Sequence, residues 1–353
     1  MSEEASTHVA YLDGWRGLAI AAVLICHFDP HWWTGWLGEF GVQFFFVLSG
    51  YLISSLLFLK KESLKDFAVR RASRILPVFL LFVFAMLVYA ENFQSAHYDV
   101  TTRELLPTLT FVRSYFPSDL NIFARSWPIG HLWSLNVEEH GYLYLALAAL
   151  VIRRVRNEYA APALLIFTTA AIVACTFYYA RHPPAGASDW RLRSEVAALG
   201  LMSSAALRVT AGRLAIDWRK AVPPLLPVLT LATAVACYAT EVVKGGYMIG
   251  PLCLAFTVNF LHCAPALLRR LLSSGLLRWL GACSFSMYLW QQPFYHAVLH
   301  DRVAAPLALA AAVCAGALSF YSIEKPARRF LNLAWAAHTK SLNSRRVVPE
   351  GRA

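Results

Sequence analysis

Charged residues are scarce in this sequence of 353 residues, and so are the motifs of soluble enzymes. Only 15% of the residues are charged and 58% are hydrophobic, whereas an average soluble protein is about 25% charged. The sequence contains no phosphate-binding glycine loop, zinc-protease motif or nucleophile elbow. The low charge and the high hydrophobic content exclude a disordered chain, a collagen-like chain and an ordinary soluble enzyme. We expect an all-α membrane protein.

Paired cysteines and an N-terminal basic region are also missing. The 7 cysteines form no CxxC pair, so we expect neither a disulfide framework nor a structural zinc site. The first ten residues contain Glu3 and Glu4 but no Lys or Arg, so a cleavable signal peptide is not expected. His27 and His31 have the spacing of a metal pair, but Pro30 disturbs the helix between them. We therefore expect no metal.

Long apolar stretches are what the sequence has instead. A bilayer core of about 30 Å requires about 20 apolar residues per helix. Ten stretches meet that length, and they predict a polytopic bundle of about ten transmembrane helices: 11–28, 38–59, 75–91, 131–152, 160–180, 194–210, 221–241, 247–267, 279–299 and 303–323. We expect a short re-entrant piece at 105–115. Residues 1–335 form one predicted domain, and 336–353 a flexible basic tail.

The distribution of basic residues predicts the orientation. Of the 32 Lys and Arg, 23 lie in alternate segments: 60–74, 153–156, 208–220, 269–278 and 325–353. Short basic loops stay in the cytoplasm, so both termini are expected on the cytoplasmic side. The protein is expected in the cytoplasmic (inner) membrane. The net charge of +11 then reflects topology and contact with anionic membrane lipid. No nucleic-acid-binding motif is present, and we expect no nucleic-acid partner.

The first predicted span contains three ionisable residues, Asp13, Arg16 and His27. An ionised side chain at the bilayer centre costs about 2.5–3.5 kcal/mol on insertion scales. Arg16 and His27 share one helix face and are separated by about 16 Å along the axis. Asp13 stands three residues before Arg16 and can hold its guanidinium. Two interpretations stay open: a structural ion pair with an interfacial histidine, or a functional site.

The fourth span begins with a second group of polar residues, in the run GHLWSLNVEEHGYLYL. Glu138 lies four residues after Ser134, so both face the same side of a helix, whereas Glu139 points about 100° away. A solvated helix start, with carboxylates near its positive dipole end, is the alternative. The apolar residues that follow favour a position inside the membrane.

The basic segment 60–74 joins the second and third spans. Arg71 and Arg74 share a helix face and could bind phosphate groups bidentately, and we include the neighbouring Arg70 in this candidate anion site. A lipid-surface amphipathic helix is the competing interpretation.

These residues lie in motifs that resemble a known family. LDGWRGLAIAAVLICHF, GVQFFFVLSGYLI, RRASRILP, HLWSLNVEEHGYLY and SFSMYLWQQPF occur in the order found in the acyltransferase-3 family, over residues 11–330. The resemblance implies a ten-helix membrane enzyme. Such an enzyme takes acyl groups, usually acetyl from acetyl-coenzyme A, and places them on a hydroxyl of an extracytoplasmic molecule, with a carbohydrate or glycan as the expected acceptor.

The resemblance also assigns residues. The family's arginine–histidine pattern maps onto Arg16 and His27, its Arg-x-x-Arg motif onto Arg71 and Arg74, and its fourth-span pair onto Ser134 and Glu138. Two departures stand out: Gln43 replaces a charged residue of the second motif, and Gln291-Gln292 follows Trp290 where many members have histidine. Some members carry an additional C-terminal hydrolase-like domain; we expect this chain to act alone or with a partner.

A mechanism follows as a hypothesis. We expect His27 to act as the base, or less readily as a transient acyl carrier. Arg16, held by Asp13, would neutralise the donor or the oxyanion, and Glu138 would orient His27 or the acceptor. Arg71 and Arg74 would hold coenzyme A phosphates. A transporter or flippase is the competing class, since ionisable residues inside a helical bundle are also typical of transport; a silent scaffold or sensor is the third.

Overall fold

The computed structural model describes residues 9–29, 31–93, 102–123, 127–186, 188–240 and 246–346. Within these ranges the chain forms helices and turns and contains no β-strand. The predicted all-α class is therefore confirmed for the part of the chain that the structure describes.

The described residues form fifteen α-helices, numbered in chain order. The first eight are α1 (Ala10–Phe28), α2 (Trp36–Ser54), α3 (Leu64–Phe93), α4 (Thr102–Leu109), α5 (Trp133–Ile152), α6 (Ala160–Arg181), α7 (Ser194–Ala197) and α8 (Leu199–Arg213). The others are α9 (Trp218–Ala221), α10 (Leu226–Ala239), α11 (Gly246–Phe260), α12 (Ala266–Leu272), α13 (Gly275–Leu299), α14 (Ala305–Ser319) and α15 (Lys325–Arg346). Single π-helical turns follow α2 (Ser55–Leu59) and α14 (Phe320–Glu324). Short 3₁₀ turns occur at Trp32–Thr34, Gly130–Leu132, Trp190–Leu192 and Leu261–Cys263.

Each of the ten predicted apolar stretches falls on a helix, with some differences in its bounds. The stretch 194–210 is divided at Ala198 into α7 and α8. The basic segment 60–74 contributes the first turns of the long helix α3, and α4 occupies part of the expected re-entrant piece. Helix α15 continues through residue 346, so the first part of the predicted tail is helical; residues 347–353 lie outside the described residues.

Among the described residues, four helical runs are long and apolar enough to cross a membrane: Trp36–Leu59, Leu64–Ala90, Ala160–Arg181 and Ala305–Ser341. The pair Tyr247–Cys263 and Ala266–Leu272, bent by 105°, is a fifth if it counts as one span. Helices α1, α5 and α13 have 19, 20 and 25 residues, but polar side chains lower their hydropathy. The chain thus has several helices able to span a membrane, and the count of ten stays a prediction, as does the orientation.

Glycines hold helix α1 close to the end of α12 and the start of α13. A Cβ atom on Gly14 would lie 1.5 Å from the carbonyl oxygen of Leu272, and one on Gly17 would lie 2.0 Å from that of Leu277. From the opposite side, a Cβ on Gly281 would lie 1.9 Å from the carbonyl oxygen of Asp13. No larger residue fits this seam, because backbone meets backbone there. The seam brings α1 and α13, which both carry polar residues, side by side.

The opposite side of α1 packs against α2. Trp15 is fully buried, and its ring stacks on Phe44 with the centroids 4.2 Å apart. The indole Nε1–H also donates to the backbone carbonyl of Phe44 at 3.3 Å. Such a buried aromatic contact with a satisfied polar end fixes the relative rotation of two helices. It leaves Arg16 and His27 directed into the interior between α2, α5 and α13.

Candidate active site

The predicted contact between Asp13 and Arg16 is confirmed. Arg16 Nη1 donates to Asp13 Oδ1 at 3.2 Å, and the two side chains are 20% and 17% exposed. The i,i+3 spacing on α1 brings the carboxylate beside the guanidinium. A charge carried into the protein interior is thereby partly compensated within its own helix.

Arg16 lines a cavity that we call the inner cavity. It has a volume of about 70 Å³ and lies between α1, α2, α3, α5 and α13. Its polar lining consists of Arg16, Ser49, Arg71, Arg74, Ser134, Glu138, Tyr142, Ser284 and Tyr288. Five of the predicted site residues therefore meet in one place, and the prediction that Ser134 and Glu138 share a face is confirmed.

The side chains of the inner cavity bond to one another. Glu138 Oε1 accepts a hydrogen bond from Ser49 Oγ at 2.8 Å, and Ser49 Oγ lies 2.9 Å from the hydroxyl of Tyr142. The guanidinium carbon of Arg71 lies 4.4 Å from the centroid of the Tyr142 ring, a cation–π distance. These contacts hold Glu138 and Arg71 in place, so the cavity presents guanidinium groups whose positions are set in advance.

Arg70 does not line this cavity. Its side chain is 54% exposed and forms an ion pair with Glu62. Since consecutive residues on a helix point about 100° apart, the direction that brings Arg71 into the cavity turns Arg70 away from it. The structure thus places Arg71 and Arg74, but not Arg70, in the lining of the inner cavity.

His27 lines a second and larger cavity, which we call the outer cavity. Its volume is about 490 Å³. Its polar and aromatic lining includes His27, Glu39, Gln43, Trp127, His131, Trp133, Asp189, Arg191, Tyr288, Gln292, Tyr295 and His296. A volume of about 300–1,000 Å³ is usual for a small-molecule site. Aromatic faces and paired polar groups suit a polar ring such as a sugar.

A glutamine of α13 orients the imidazole of His27. His27 Nδ1 lies 2.7 Å from Gln291 Oε1, and the Gln291 amide nitrogen donates to Gln292 Oε1 at 3.2 Å. Because the Gln291 oxygen can only accept, Nδ1 of His27 carries the proton and donates it. The neutral ring therefore keeps a lone pair on Nε2, the arrangement that a general base requires. The ring also stacks on Tyr295, with the centroids 4.5 Å apart.

Glu138 was expected to orient either His27 or the acceptor. It lines the inner cavity and bonds to Ser49, whereas Gln291 makes the bond to the imidazole. The glutamines that depart from the family pattern thus include the residue that fixes the tautomer of His27. Sequence reasoning missed this role, since the two residues are separated by 264 positions.

Tyr288 stands between the two cavities and lines both. Its hydroxyl donates to the backbone carbonyl of His131 and lies 2.7 Å from Ser134 Oγ. With the phenolic hydrogen on the carbonyl, Ser134 must donate to the phenolic oxygen. Two hydrogen bonds to α5 and its leading turn hold the ring where the two cavities adjoin.

His131 is a second residue that sequence reasoning did not assign. It is 5% exposed, lines the outer cavity, and neither ring nitrogen has a hydrogen-bond partner in the described part of the chain. A buried imidazole without a partner costs stability, so water or a ligand is expected to supply its hydrogen bonds. The available signal was its place in the polar run that contains Ser134 and Glu138.

An ion pair stands at the rim of the outer cavity, in the connection after α6. Arg191 Nε and Nη2 donate to Asp189 Oδ2 at 2.8 and 2.6 Å. Burial raises the pKa of Asp189, but the hydrogen bonds from Arg191 outweigh it and the pKa falls below its usual value. The hydrogen bonds to Asp189 raise the pKa of Arg191 in turn. The rim therefore presents a carboxylate and a guanidinium in a fixed mutual geometry.

Comparison with known proteins gives a consistent result. The family model described as "Acyltransferase domain" matches residues 9–323. The chain is 27% identical over 366 residues to the Bacillus subtilis protein named "Putative peptidoglycan O-acetyltransferase YrhL", covering 91% of this chain and 55% of that protein. It is 26% identical over 368 residues to the peptidoglycan O-acetyltransferase OatA of Listeria monocytogenes, covering 92% of this chain and 57% of that protein. The chain thus spans little more than half the length of these relatives. No solved structure matches it.

Proposed function

This chain belongs to the acyltransferase-3 family, and from that premise we propose that it is a membrane-bound O-acyltransferase. It moves an acetyl group from acetyl-coenzyme A to a hydroxyl of a carbohydrate or glycan at the outer face of the cytoplasmic membrane. The names of its relatives, peptidoglycan O-acetyltransferases, favour a cell-wall glycan as the acceptor class. The observation that carries the proposal is the oriented imidazole of His27 in the outer cavity.

The acceptor binds in the outer cavity. Trp133 and Tyr295 offer flat apolar faces there, and the Asp189–Arg191 pair offers polar groups at the rim. An acceptor hydroxyl near Nε2 of His27 would transfer its proton to that nitrogen as its oxygen attacks the thioester carbonyl. His131, with both ring nitrogens free of partners among the described residues, is in position to bind a further hydroxyl.

The donor approaches from the inner cavity. Arg16, Arg71 and Arg74 converge there, and guanidinium groups suit phosphate and a developing oxyanion. The new C–O bond forms as the C–S bond breaks and the thiolate leaves. His27 then gives the proton taken from the acceptor hydroxyl to the thiolate, which leaves as the thiol of coenzyme A. Transfer requires the thioester to reach past Tyr288 and Val42, which line both cavities.

The test is acetyl transfer in inside-out membrane vesicles with glycan enclosed. Radiolabelled acetyl-coenzyme A is added outside, and covalent label in the glycan is measured for the wild type, His27→Ala and His182→Ala. His182 is exposed and lies outside both cavities, so its variant is the matched control. We expect a fall of about 10²–10⁴-fold for His27→Ala, the usual contribution of a general base, and none for His182→Ala.

Two results would overturn the proposal. Undiminished labelling by His27→Ala would move the chemistry to another residue. Label that crosses the membrane without becoming covalently attached to glycan would indicate a transporter instead.

A further inference from the structure

A third cavity lies beyond the inner one, where α2 and α5 end. Its volume is about 500 Å³, similar to that of the outer cavity. Four cations from three separate chain segments line it: Lys61, Arg153, Arg156 and Arg213. Glu158 is the one carboxylate in this lining. The cavity therefore carries a net charge of about +3, counted from these side chains at neutral pH.

The third cavity continues the inner one along α5. Glu138 and Tyr142 line the inner cavity, and Ala149 and Ile152 line the third. At 100° per residue, these four positions fall within about 40° of the direction of Glu138, and Ala149 lies about 10 Å beyond Tyr142 along the axis. The two cavities therefore open along the same face of α5.

The inner and third cavities also follow one another along α2. Leu52 lines the inner cavity, and Leu57, in the π-helical turn that follows α2, lines the third. Between them Ser55 Oγ accepts a hydrogen bond from Arg208 Nε at 2.8 Å. The Arg208 guanidinium carbon lies 4.7 Å from the centroid of the Tyr51 ring. A further guanidinium thus contacts α2 at the level between Leu52 and Leu57.

One of the cations in the third cavity is held in place. Arg153 Nη2 donates to the backbone carbonyls of Leu57 at 3.1 Å and of Glu62 at 2.6 Å. These bonds tie the end of α5 to the turn after α2 and fix the guanidinium at the wall. A preset guanidinium loses less entropy when it binds an anion.

The inner cavity is too small for the whole of a coenzyme A donor. It holds about 70 Å³, whereas small-molecule sites usually hold about 300–1,000 Å³. One end of the donor could lie beside its guanidinium groups, but the rest of coenzyme A would need space beyond it. We propose that the third cavity is a phosphate-binding subsite, for either the terminal 3′-phosphate of the coenzyme A donor or the phosphate of an anionic lipid headgroup. In its donor form the inference rests on the proposed function.

Binding of coenzyme A and of 3′-dephospho-coenzyme A to the full chain in detergent tests the donor source. The double variant Arg156→Gln/Arg213→Gln removes two cations of the cavity, and Arg154→Gln is the control because Arg154 is exposed but does not line it. If the 3′-phosphate binds here, the double variant loses about tenfold or more in affinity for coenzyme A, because it removes charge-assisted hydrogen bonds to that phosphate. Its affinity for the dephosphorylated form then changes by less than about twofold.

A second arm tests the lipid source. The Tm of the same proteins is measured with added phosphatidylglycerol and with phosphatidylcholine. If an anionic headgroup binds here, phosphatidylglycerol stabilises the wild type and Arg154→Gln, and that stabilisation is lost in the double variant. The Tm without lipid shows whether each variant folds, and Lys61→Gln offers a milder change at the same cavity if the double variant does not.

Selective loss in either arm supports the subsite and identifies its source. If the folded cavity variants match Arg154→Gln in both arms, the proposal is overturned. Neither arm requires acetyl transfer, so a failure of the proposed function would appear in the vesicle assay and not in these measurements.

Discussion

The inner and outer cavities differ in how their polar groups are satisfied. In the inner cavity, Glu138, Ser49 and Tyr142 form a connected network, with Arg71 stacked on the Tyr142 ring. In the outer cavity, both ring nitrogens of His131 and the Oε1 atom of Gln43 have no partner among the described residues. Unpartnered buried polar atoms cost stability unless a ligand completes them.

The difference indicates two tasks. A closed network around guanidinium groups holds charges at preset positions, which suits an anionic donor of constant structure. An open cavity of about 490 Å³ with free polar atoms suits an acceptor that supplies its own hydroxyl groups. The side chain of Tyr288 lies between the inner and outer cavities. The predictions below test this division from the larger expected effects to the smaller.

Replacing the guanidinium of Arg71 tests the inner cavity. Arg71→Gln is expected to weaken coenzyme A binding by about tenfold to a hundredfold, since hydrogen bonds to charged groups contribute about 1.5–3 kcal/mol. Arg70→Gln is the matched control, because Arg70 pairs with Glu62 outside the cavity and its loss should leave binding within about twofold. Equal effects of the two variants would show that the basic segment acts only through its overall charge.

Gln291 tests how the outer cavity positions its base. Gln291→Leu removes the acceptor for His27 Nδ1–H, and we expect kcat to fall by about tenfold to a hundredfold, as for other residues that orient a histidine. Donor binding should not change. Gln291→Glu restores an acceptor, so activity should recover, with the acid limb of the pH profile moved to higher pH. An unchanged pH profile together with a general loss of folded protein would indicate a purely structural role.

Tyr288 tests the separation itself. Tyr288→Phe keeps the ring but removes the hydroxyl that bonds to Ser134 and to the His131 carbonyl. The loss of about 1 kcal/mol per hydrogen bond should loosen the barrier between the cavities. We expect hydrolysis of acetyl-coenzyme A without acceptor to rise by about fivefold, measured as free thiol released in the absence of glycan. A fall in transfer with no rise in hydrolysis would argue against a barrier.

The smallest effect concerns pH at the rim. Since the pKa of Asp189 is lowered in the folded protein, the stabilising pair with Arg191 is complete above the ordinary aspartate pKa of about 3.9. It is lost as the pH falls through the lowered value. The KM for acceptor should therefore be constant between about pH 5 and 8 and rise only in stronger acid. Asp189→Asn should show the raised KM at every pH. A KM equal to that of the wild type would show that the pair takes no part in acceptor binding.

Contacts within one helix were predictable from the sequence. The Asp13–Arg16 pair follows from a spacing of three residues, and the shared face of Ser134 and Glu138 from a spacing of four. Each of the ten apolar stretches likewise contains helix, although 194–210 and 247–267 are each divided between two α-helices. Helical periodicity determines each of these, because it acts over a few residues and needs no knowledge of neighbouring helices.

Contacts between distant helices were not predictable. The bond from His27 to Gln291 and the position of Tyr288 depend on the glycine seam between α1 and α13, which sequence spacing does not reveal. Arg70, which the sequence analysis included in the candidate anion site, pairs with Glu62 and does not line the inner cavity. Glu138 was expected to orient either His27 or the acceptor; it lines a different cavity from His27, and its role toward the acceptor stays a prediction.

The most direct test of this account measures donor binding and acetyl transfer in the same preparation of His27→Gln. If the two cavities divide the work, the variant binds coenzyme A as tightly as the wild type while transfer to glycan falls by about 10²–10⁴-fold. A variant that loses donor binding together with transfer, or that keeps transfer, would contradict the assignment of the base to the outer cavity.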